Sequence, residues 1–361
     1  MRVLVVNAGS STLKLSVLDE RDQVLGSRVL ELEEGAWSAS AVEEALGEWP
    51  EPQAVGHRVV HGGRDFTAPT RLDQDVVERL RELTPLAPLH QPRALAGIEV
   101  VERVLPGCAG VACFDTAFHT TLPQEASTYA VPEEWRRRWG LVRYGFHGLS
   151  HAYASRRARE WTGGERVVTA HLGAGASLAA VWDGRCVDTT MGFTPLEGLV
   201  MATRSGSVDP GLVVWLHEQA GLPVREISEG LVRRSGLLGL AGTADMREVV
   251  EREGRGDRAA VLALGVYVHR LRGAVASMAA SMGGVDTLVF TGGVGEGAAR
   301  VRESVARGLG FVGVRVDEDA NAQLKGEGEV SAQGARVRTL VVAAREDVEI
   351  ARGVRQVLAD G

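Results

Sequence analysis

Basic side chains stand in unusual places along the chain, at the ends of apolar runs and inside glycine-rich loops. Residues 56–63 place two histidines and an arginine before a Gly-Gly pair, residues 144–151 hold two histidines in a loop with two glycines, and residues 203–209 place an arginine among small polar residues. A single residue of this kind is usually structural or solvated. Several of them at strand ends favour a site where fixed positive charge converges on a transferring phosphoryl group.

Oxygen-bearing side chains complete this set. Asp115 follows the apolar run 110–114, so it is predicted at the carboxyl end of a strand, where ligands bind in open α/β sheets. An ordinary loop or capping aspartate is the alternative for this residue. Together with Asn7, Glu346 and phosphate oxygens, such a carboxylate would suit Mg²⁺, which keeps most of its waters.

A strand-turn-strand pattern occurs twice, at residues 3–19 and 167–183, and Gly9 aligns with Gly173. Each copy has a turn of small residues, whose free backbone N–H groups suit an anion. The first turn adds side-chain donors, which are Ser10, Ser11, Thr12 and Lys14. A third glycine-rich turn, residues 290–297, lies between a predicted strand and a predicted helix at 298–307. The two copies of the strand-turn-strand pattern lack P-loop spacing. Together these copies indicate a duplicated fold that holds a polyphosphate between two lobes.

The elements that must position these residues alternate between strands and helices, which indicates an α/β protein. Strands are predicted at 54–60, 110–114, 166–169 and 287–290, and helices at 74–83, 151–161 and 258–282. At 361 residues the chain exceeds the usual size of one core, so two domains are expected, with a boundary within 148–165.

Bulk properties exclude several classes of protein. A formal charge of −7 argues against a nucleic-acid-binding protein, and the three cysteines are too few for a disulfide framework or a zinc site. We read the cysteines as buried apolar residues in a reducing compartment. No leader and no membrane-spanning stretch are expected, which predicts a cytoplasmic protein without membrane partners.

Seven motifs in order resemble those of the acetate kinase family, within the actin, sugar kinase and Hsp70-like superfamily. They lie at residues 7–11, 57–63, 114–119, 144–148, 188–204, 245–247 and 290–296. The resemblance implies a duplicated two-lobe α/β fold with a ribonuclease H-like βββαβα core in each lobe and an active site in the cleft between them. It implies an N-terminal lobe of residues 1–150, joined by a C-terminal helix at 346–361, and a C-terminal lobe of residues 151–345. A homodimer is implied as well.

The resemblance also implies a reaction, the reversible and direct in-line transfer of a phosphoryl group between ATP and acetate, giving ADP and acetyl phosphate. It assigns catalysis to Arg58, Asp115, His147 and Arg204, and an acyl pocket to Val60, Leu89, Phe146 and Pro195. It assigns the nucleotide to the first turn and to His171, Leu172, Gly173, Ala174, Gly175, Asp245, Met246, Arg247, Gly292, Gly293, Val294 and Gly295. Asn7 and Glu346 match positions near a bound Mg²⁺, or Mn²⁺ in its place.

Four departures from the family pattern leave alternatives open. The family usually has asparagine where Ala174 and Gly297 stand, Leu-His-Asn-Pro at 89–92 and Asn-Glu-Glu at 345–347. Losing amide side chains near the nucleotide weakens binding by about 1–3 kcal/mol for each buried hydrogen bond. The alternatives are a propionate or other short-chain acyl kinase, a kinase whose phosphoryl donor is not ATP, such as pyrophosphate, and a nucleotide-binding regulator with little turnover.

Overall fold

Two six-stranded sheets with helices around them form the described part of the protein. The structure, a computed structural model, describes residues 1–9, 12–32 and 37–359. The strands are β1 (Val3–Ala8), β2 (Thr12–Leu18), β3 (Val24–Glu31), β4 (Ala54–Val59), β5 (Thr70–Arg71), β6 (Ala109–Phe114), β7 (Arg166–Leu172), β8 (Ala176–Trp182), β9 (Arg185–Thr189), β10 (Thr287–Thr291), β11 (Gly328–Glu329) and β12 (Arg338–Val341).

The helices predicted at 74–83, 151–161 and 258–282 are present, and several α-helices begin at an aspartate or serine that caps the first turn. Asp73 accepts from the backbone N–H of Val76, and Asp257 accepts from those of Ala259 and Ala260. The helices are α1 (Ala39–Gly47), α2 (Gln74–Glu82), α3 (Gln91–Val104), α4 (Gln124–Ser127), α5 (Glu133–Trp139), α6 (Gly148–Thr162), α7 (Pro210–Glu218), α8 (Val224–Arg233), α9 (Gly236–Ala241), α10 (Met246–Gly254), α11 (Arg258–Ser281), α12 (Gly292–Gly297), α13 (Ala299–Arg307), α14 (Glu318–Gln323) and α15 (Glu346–Ala359).

The two sheets have the same topology. The first has the order β3-β2-β1-β4-β6-β5, and the second, taken from its other edge, has the order β9-β8-β7-β10-β12-β11. In each, three antiparallel strands lead into two parallel strands, and a short antiparallel strand lies at the far edge. The duplication that the repeated turn predicts is therefore present in the strand order.

The two copies of the turn differ by one residue. Ala8 pairs with Leu13 in the first copy, whereas Leu172 pairs with Ala176 in the second. The first turn therefore has room for one more residue between its strands. Ser10 and Ser11, which lie in that turn, are outside the described residues.

Helices cover both faces of the first sheet, as near-continuous apolar strands require. One face packs on α1 and α3, where Leu4, Val6 and Val17 meet Val42 and Val101 in a buried cluster. The other face packs on α15, whose Ile350 and Val354 lie over Gly56 of β4.

The second sheet packs against α11, a long alanine-rich helix that also contacts α9, α10 and α13. By length and composition α11 is apolar enough to span a membrane. Its Ala263, Tyr267 and Leu271 are buried within the unit, whereas Val261 and Leu262 are exposed.

The chain divides into two compact units. The first comprises Met1–Thr120, Phe146–Tyr153 and Arg345–Gly361, and the second comprises Thr121–Gly145 and Ala154–Ala344. Residues 121–145 thus group with the second unit, whereas the sequence analysis placed them in the N-terminal lobe. The reason is a set of bonds between distant segments, because Thr121 donates to the carbonyl of Cys186 and Arg143 donates to carbonyls of residues 189–191 at the end of β9.

Candidate active site

Arg58 is the centre of a polar cluster in the first unit. It lies near the end of β4, and its Nε and Nη2 donate to Asp115 Oδ1 and Oδ2 at 3.0 and 2.6 Å. Its Nη1 donates to Asn7 Oδ1 at 3.2 Å, and Glu346 Oε2 lies 3.7 Å from Nε. Neighbouring strand ends supply Asn7, Arg58 and Asp115, and the start of α15 supplies Glu346. These four predicted residues therefore come together.

The electrostatics of this cluster keep the arginine charged. Burial alone would lower the pKa of Arg58, but the Asp115 and Glu346 carboxylates more than reverse this effect and raise it. Burial raises the pKa of Asp115, while the Arg58 guanidinium acts in the opposite direction. The two-bond contact has the geometry of an ionised pair, which fixes the plane of the guanidinium.

His147 has an unusual backbone conformation beside this cluster. Its φ is 57°, in the left-handed region that residues other than glycine seldom adopt. The next residue, Gly148, donates its N–H to the carbonyl of Asp115 at 2.8 Å, and a Cβ at Gly148 would collide with that same carbonyl. The loop carrying His147 is therefore anchored directly on the Asp115 backbone.

The donor set of the cluster fits a magnesium ion. Asn7 offers an amide oxygen and Glu346 offers a carboxylate. Both contact the Arg58 guanidinium, as Asp115 does. Among the described residues no group of three histidine, cysteine or acidic side chains could hold a metal by itself. Oxygen ligands few in number, completed by water and phosphate, are what Mg²⁺ takes in phosphotransferases.

The predicted acyl-pocket residues of the first unit differ in exposure. Val60 and Phe146 are buried, and the Phe146 ring meets the ring of His61 edge-on at 5.6 Å. Leu89 is 51% exposed. Their shared role as a pocket stays a prediction.

In the second unit, two glycine-rich turns follow adjacent parallel strands. Residues 172–176 connect β7 to β8, and α12 begins directly after β10, with His171 paired to Thr291 at the strand ends. Gly292 has φ 78° and lies so close to Leu172 that a Cβ would come within 2.8 Å of that carbonyl. The glycine-rich turn predicted at residues 290–297 is thus a short helix, and it packs against the turn between β7 and β8.

Arg204 lies in a loop tied to the same turn. The backbone N–H of Ala202 donates to the carbonyl of Ala174 at 3.2 Å, and Arg204 Nη1 donates to the carbonyl of Pro195 at 3.0 Å. Burial lowers the pKa of Arg204. The loop that carries Arg204 is therefore held by hydrogen bonds to Ala174 through Ala202 and to Pro195 through the guanidinium.

The predicted adenosine residues form two different environments. Asp245 caps α10, and its Oδ2 lies 2.6 Å from Nη2 of the exposed Arg247. Hydrogen bonds from Arg247 lower the pKa of Asp245 to about 2. The Met246 side chain is buried in the core, so only its backbone and its two neighbours are placed for contact with a ligand.

The sequence analysis did not predict a hydrogen-bond network that holds residues 189–197 in place. Arg143 donates to the carbonyls of Thr189, Thr190 and Met191 and to Glu197, and Tyr129 donates to the same carboxylate at 2.6 Å. The only signal was the position of Arg143 directly before the motif at residues 144–148. A hydrogen-bond network between distant segments leaves no periodic pattern in a sequence.

The two sheets share one topology, glycine-rich turns lie at their strand ends, and Arg58 near the end of β4 pairs with the buried Asp115 carboxylate. Together these features define a duplicated α/β phosphotransferase. The chain is an enzyme of the kinase class. The sequence model described as the Acetokinase family matches residues 38–352, and the chain belongs to that family. The predicted family and the predicted two-lobe α/β fold are thus confirmed.

Individual relatives agree with this assignment. An acetate kinase of Deinococcus deserti is 45% identical, covering 99% of this chain and 98% of that protein. The crystal structure of Porphyromonas gingivalis acetate kinase matches with a TM-score of 0.91 at 39% identity over 99% of both chains. A propionate kinase from Francisella tularensis matches with a TM-score of 0.92 at 35% identity over 98% of this chain and 99% of that one.

Proposed function

We propose that this enzyme transfers a phosphoryl group reversibly between ATP and acetate, giving ADP and acetyl phosphate. The observation that carries the proposal is the arginine cluster of the first unit, where Asp115 orients a charged Arg58 beside Asn7 and Glu346. Membership of the Acetokinase family supports it.

In this reaction an acetate oxygen attacks the γ-phosphorus in line, a new P–O bond forms, and the bond to the ADP oxygen breaks. Acetate is already ionised at neutral pH, so no general base is required. Arg58 and Arg204 hold the carboxylate and the equatorial phosphoryl oxygens, and His147 donates a hydrogen bond to the same group. Fixed donors of this kind stabilise the charge that spreads over the phosphoryl oxygens in the transition state.

Asn7 and Glu346 would hold Mg²⁺, or Mn²⁺, as the oxygen donors beside Arg58. Such an ion supplies charge neutralisation of the nucleotide phosphates. The turn at residues 171–175 and the helix α12 bind the phosphates, together with the side-chain donors predicted in the first copy, which are Ser10, Ser11, Thr12 and Lys14. Residues 245–247 bind the adenosine. Val60, Leu89, Phe146 and Pro195 form the acyl pocket, which separates acetate from propionate by only about 1–3 kcal/mol.

The deciding experiment compares ATP, GTP and pyrophosphate as donors at equal Mg²⁺, with acetate, propionate and butyrate as acceptors. Acyl phosphate is trapped as the hydroxamate. We expect ATP with acetate to give the highest kcat/KM, and Arg204→Ala to abolish most of it. Absence of acyl phosphate with every pair, or full activity of Arg204→Ala, would overturn the proposal.

Ala174 favours testing a second donor explicitly. It is exposed in the turn 172–176, where the family usually has asparagine. If ATP is the donor, Ala174→Asn should lower the KM for ATP about fivefold, since one added hydrogen bond contributes about 1 kcal/mol. If pyrophosphate is the better donor for the wild type, the pyrophosphate alternative takes the place of ATP.

We also infer a homodimer and a cytoplasmic location. The helix α7 supports the dimer, because Leu212, Val214 and Trp215 are exposed and the helix has no buried residue. Burial raises the pKa of Cys113 to about 12 and also raises the pKa of Cys186, which fits unreactive thiols in a reducing compartment. Light scattering of the purified enzyme measures its mass directly, and a monomer would contradict the dimer.

A further inference from the structure

Arg302 of α13 is the largest fully buried side chain among the described residues, with 1% of its surface exposed. Its Nη1 donates to the carbonyls of Gly295 and Glu296 at 2.9 and 2.7 Å. Its Nε donates to Asn321 Oδ1 at 2.7 Å, and its Nη2 donates to the carbonyl of Asn321 at 3.0 Å. The guanidinium therefore joins the end of α12 to α14.

The charge of Arg302 has no carboxylate partner within the described residues, where its neighbours are carbonyls and an amide. Its neighbours on the same helix differ in this respect, since Arg300 pairs with Glu253 and Arg307 pairs with Glu303. Burial lowers the pKa of Arg302, yet a guanidinium that begins at 12.5 stays charged at neutral pH. A buried and unpaired cation is costly, so a neutral side chain would be expected unless an anion benefits.

Asn321 makes this arrangement rigid. Its Nδ2 donates to the carbonyl of Ala299 at 2.9 Å while its Oδ1 accepts from Arg302. The start of α13, the end of α12 and the middle of α14 are thus connected through two side chains. On its other side, α12 packs against Leu172 through Gly292.

We propose that Arg302 is a positioning residue for the nucleotide, which fixes the turn Gly292–Gly297 through its last carbonyls and places one uncompensated positive charge beneath it. The inference rests on the proposed binding of a nucleoside di- or triphosphate at α12. Arg302 acts through Gly295 and Glu296, and its charge raises the affinity for the phosphates through the low-dielectric interior. It sets nucleotide affinity and leaves the affinity for the carboxylate unchanged.

Two variants separate the charge from the hydrogen bonds. Asn321→Asp keeps the Oδ1 acceptor and gives Arg302 a carboxylate partner, which neutralises the charge and retains the guanidinium contacts, while the bond from Nδ2 to the Ala299 carbonyl is lost. Arg302→Lys keeps the positive charge and loses some of the hydrogen bonds that the guanidinium donates to Gly295, Glu296 and Asn321. Arg307→Gln removes an exposed charge from the same helix and serves as the control.

The readouts are the Kd of ADP by calorimetry at two salt concentrations, the KM for ATP and acetate, and kcat. We expect Asn321→Asp to raise the Kd of ADP five- to tenfold and to reduce its salt dependence, with the KM for acetate and kcat within twofold. Arg302→Lys should raise the Kd less and retain the salt dependence, and Arg307→Gln should match the wild type.

Several outcomes would overturn this role. An unchanged Kd for Asn321→Asp, or an equal rise in the KM for acetate, would show that Arg302 acts only on the fold. If wild-type enzyme binds ADP but makes no acyl phosphate, the proposed reaction fails and the Kd comparison still decides the role of Arg302. If wild-type enzyme does not bind ADP, both proposals fail.

Discussion

At the scale of single residues, the Arg58–Asp115 pair is the best-defined element of the candidate site. Asp115 is almost fully buried and receives two hydrogen bonds from one guanidinium, so it fixes both the position and the plane of that group. Its carbonyl also anchors the loop that carries His147. Asp115 thus organises two predicted catalytic residues at once.

Asp115→Asn should therefore lower kcat/KM for acetate about 100-fold, because removing one partner of a buried pair costs about 3 kcal/mol and an amide N–H faces the guanidinium. Steady-state kinetics with the acceptor varied measures this. Asp65→Asn is the matched control, since Asp65 forms an exposed pair with Arg79 and its loss should leave kcat/KM within twofold. Equal activities of the two variants would contradict the role of Asp115.

Residues at strand ends could be predicted from the sequence, and buried polar partners could not. Arg58 and Asp115 each follow an apolar run, and the carboxyl ends of parallel strands share one edge of the sheet. Arg302 and Arg143 lie in segments that look solvated, and their burial depends on carbonyls contributed by distant parts of the chain.

At the scale of elements, the short helix α12 depends on one glycine. Gly292 combines a φ of 78° with close approach to the Leu172 carbonyl, so it satisfies two constraints that a Cβ would violate together. The sequence predicted a glycine-rich turn here. The sequence could not show that this turn is helical, because the helical conformation depends on the contact that Gly292 makes with Leu172 of β7.

Gly292→Ala should raise the KM for ATP at least tenfold and lower the melting temperature, since a left-handed φ costs about 1–2 kcal/mol and the collision moves the turn. Gly265→Ala is the control, because a Cβ there, within α11, would meet no atom within 4 Å. Thermal melts and initial rates with ATP varied measure both effects. A Gly292→Ala enzyme with wild-type KM and stability would show that the turn adapts.

At the scale of the whole molecule, buried histidines link stability to pH. Burial lowers the pKa of His57 to about 3 and that of His119 to about 4, from 6.5. Both are neutral in the folded protein, whereas the unfolded chain takes up a proton at each near pH 6.5. The unfolded state therefore binds more protons below that pH, and stability is lost as the pH falls from about 6.5 to about 4.

The free energy of unfolding should decrease by about 1.4 kcal/mol per pH unit for each histidine across this range. Urea denaturation at pH 7.5, 6.0 and 5.0 measures it. In His57→Gln, the slope of the unfolding free energy against pH should be smaller by about 1.4 kcal/mol per pH unit, the contribution of one proton, although the variant is less stable at pH 7.5. An unchanged slope in that variant would contradict the assignment.

The overall architecture was predicted largely because the repeated turn and the alternation of strands and helices are local patterns. The grouping of residues 121–145 with the second unit was not, since it depends on long-range bonds such as the one from Arg143 to Met191. Local patterns predict elements, and contacts between distant segments decide which unit an element joins.

The helix α15 has a consequence for how the protein is made. It covers the Gly56 face of the first sheet, although it is the last helix in the chain, and Arg355 ties it to the β2–β3 turn through Asp22. During synthesis, β1–β6 emerge first and keep that face uncovered while residues 154–344 are added. The second unit, almost continuous in sequence, is able to fold while still attached to the ribosome. The unit that is translated first is thus completed only after the second unit has been translated.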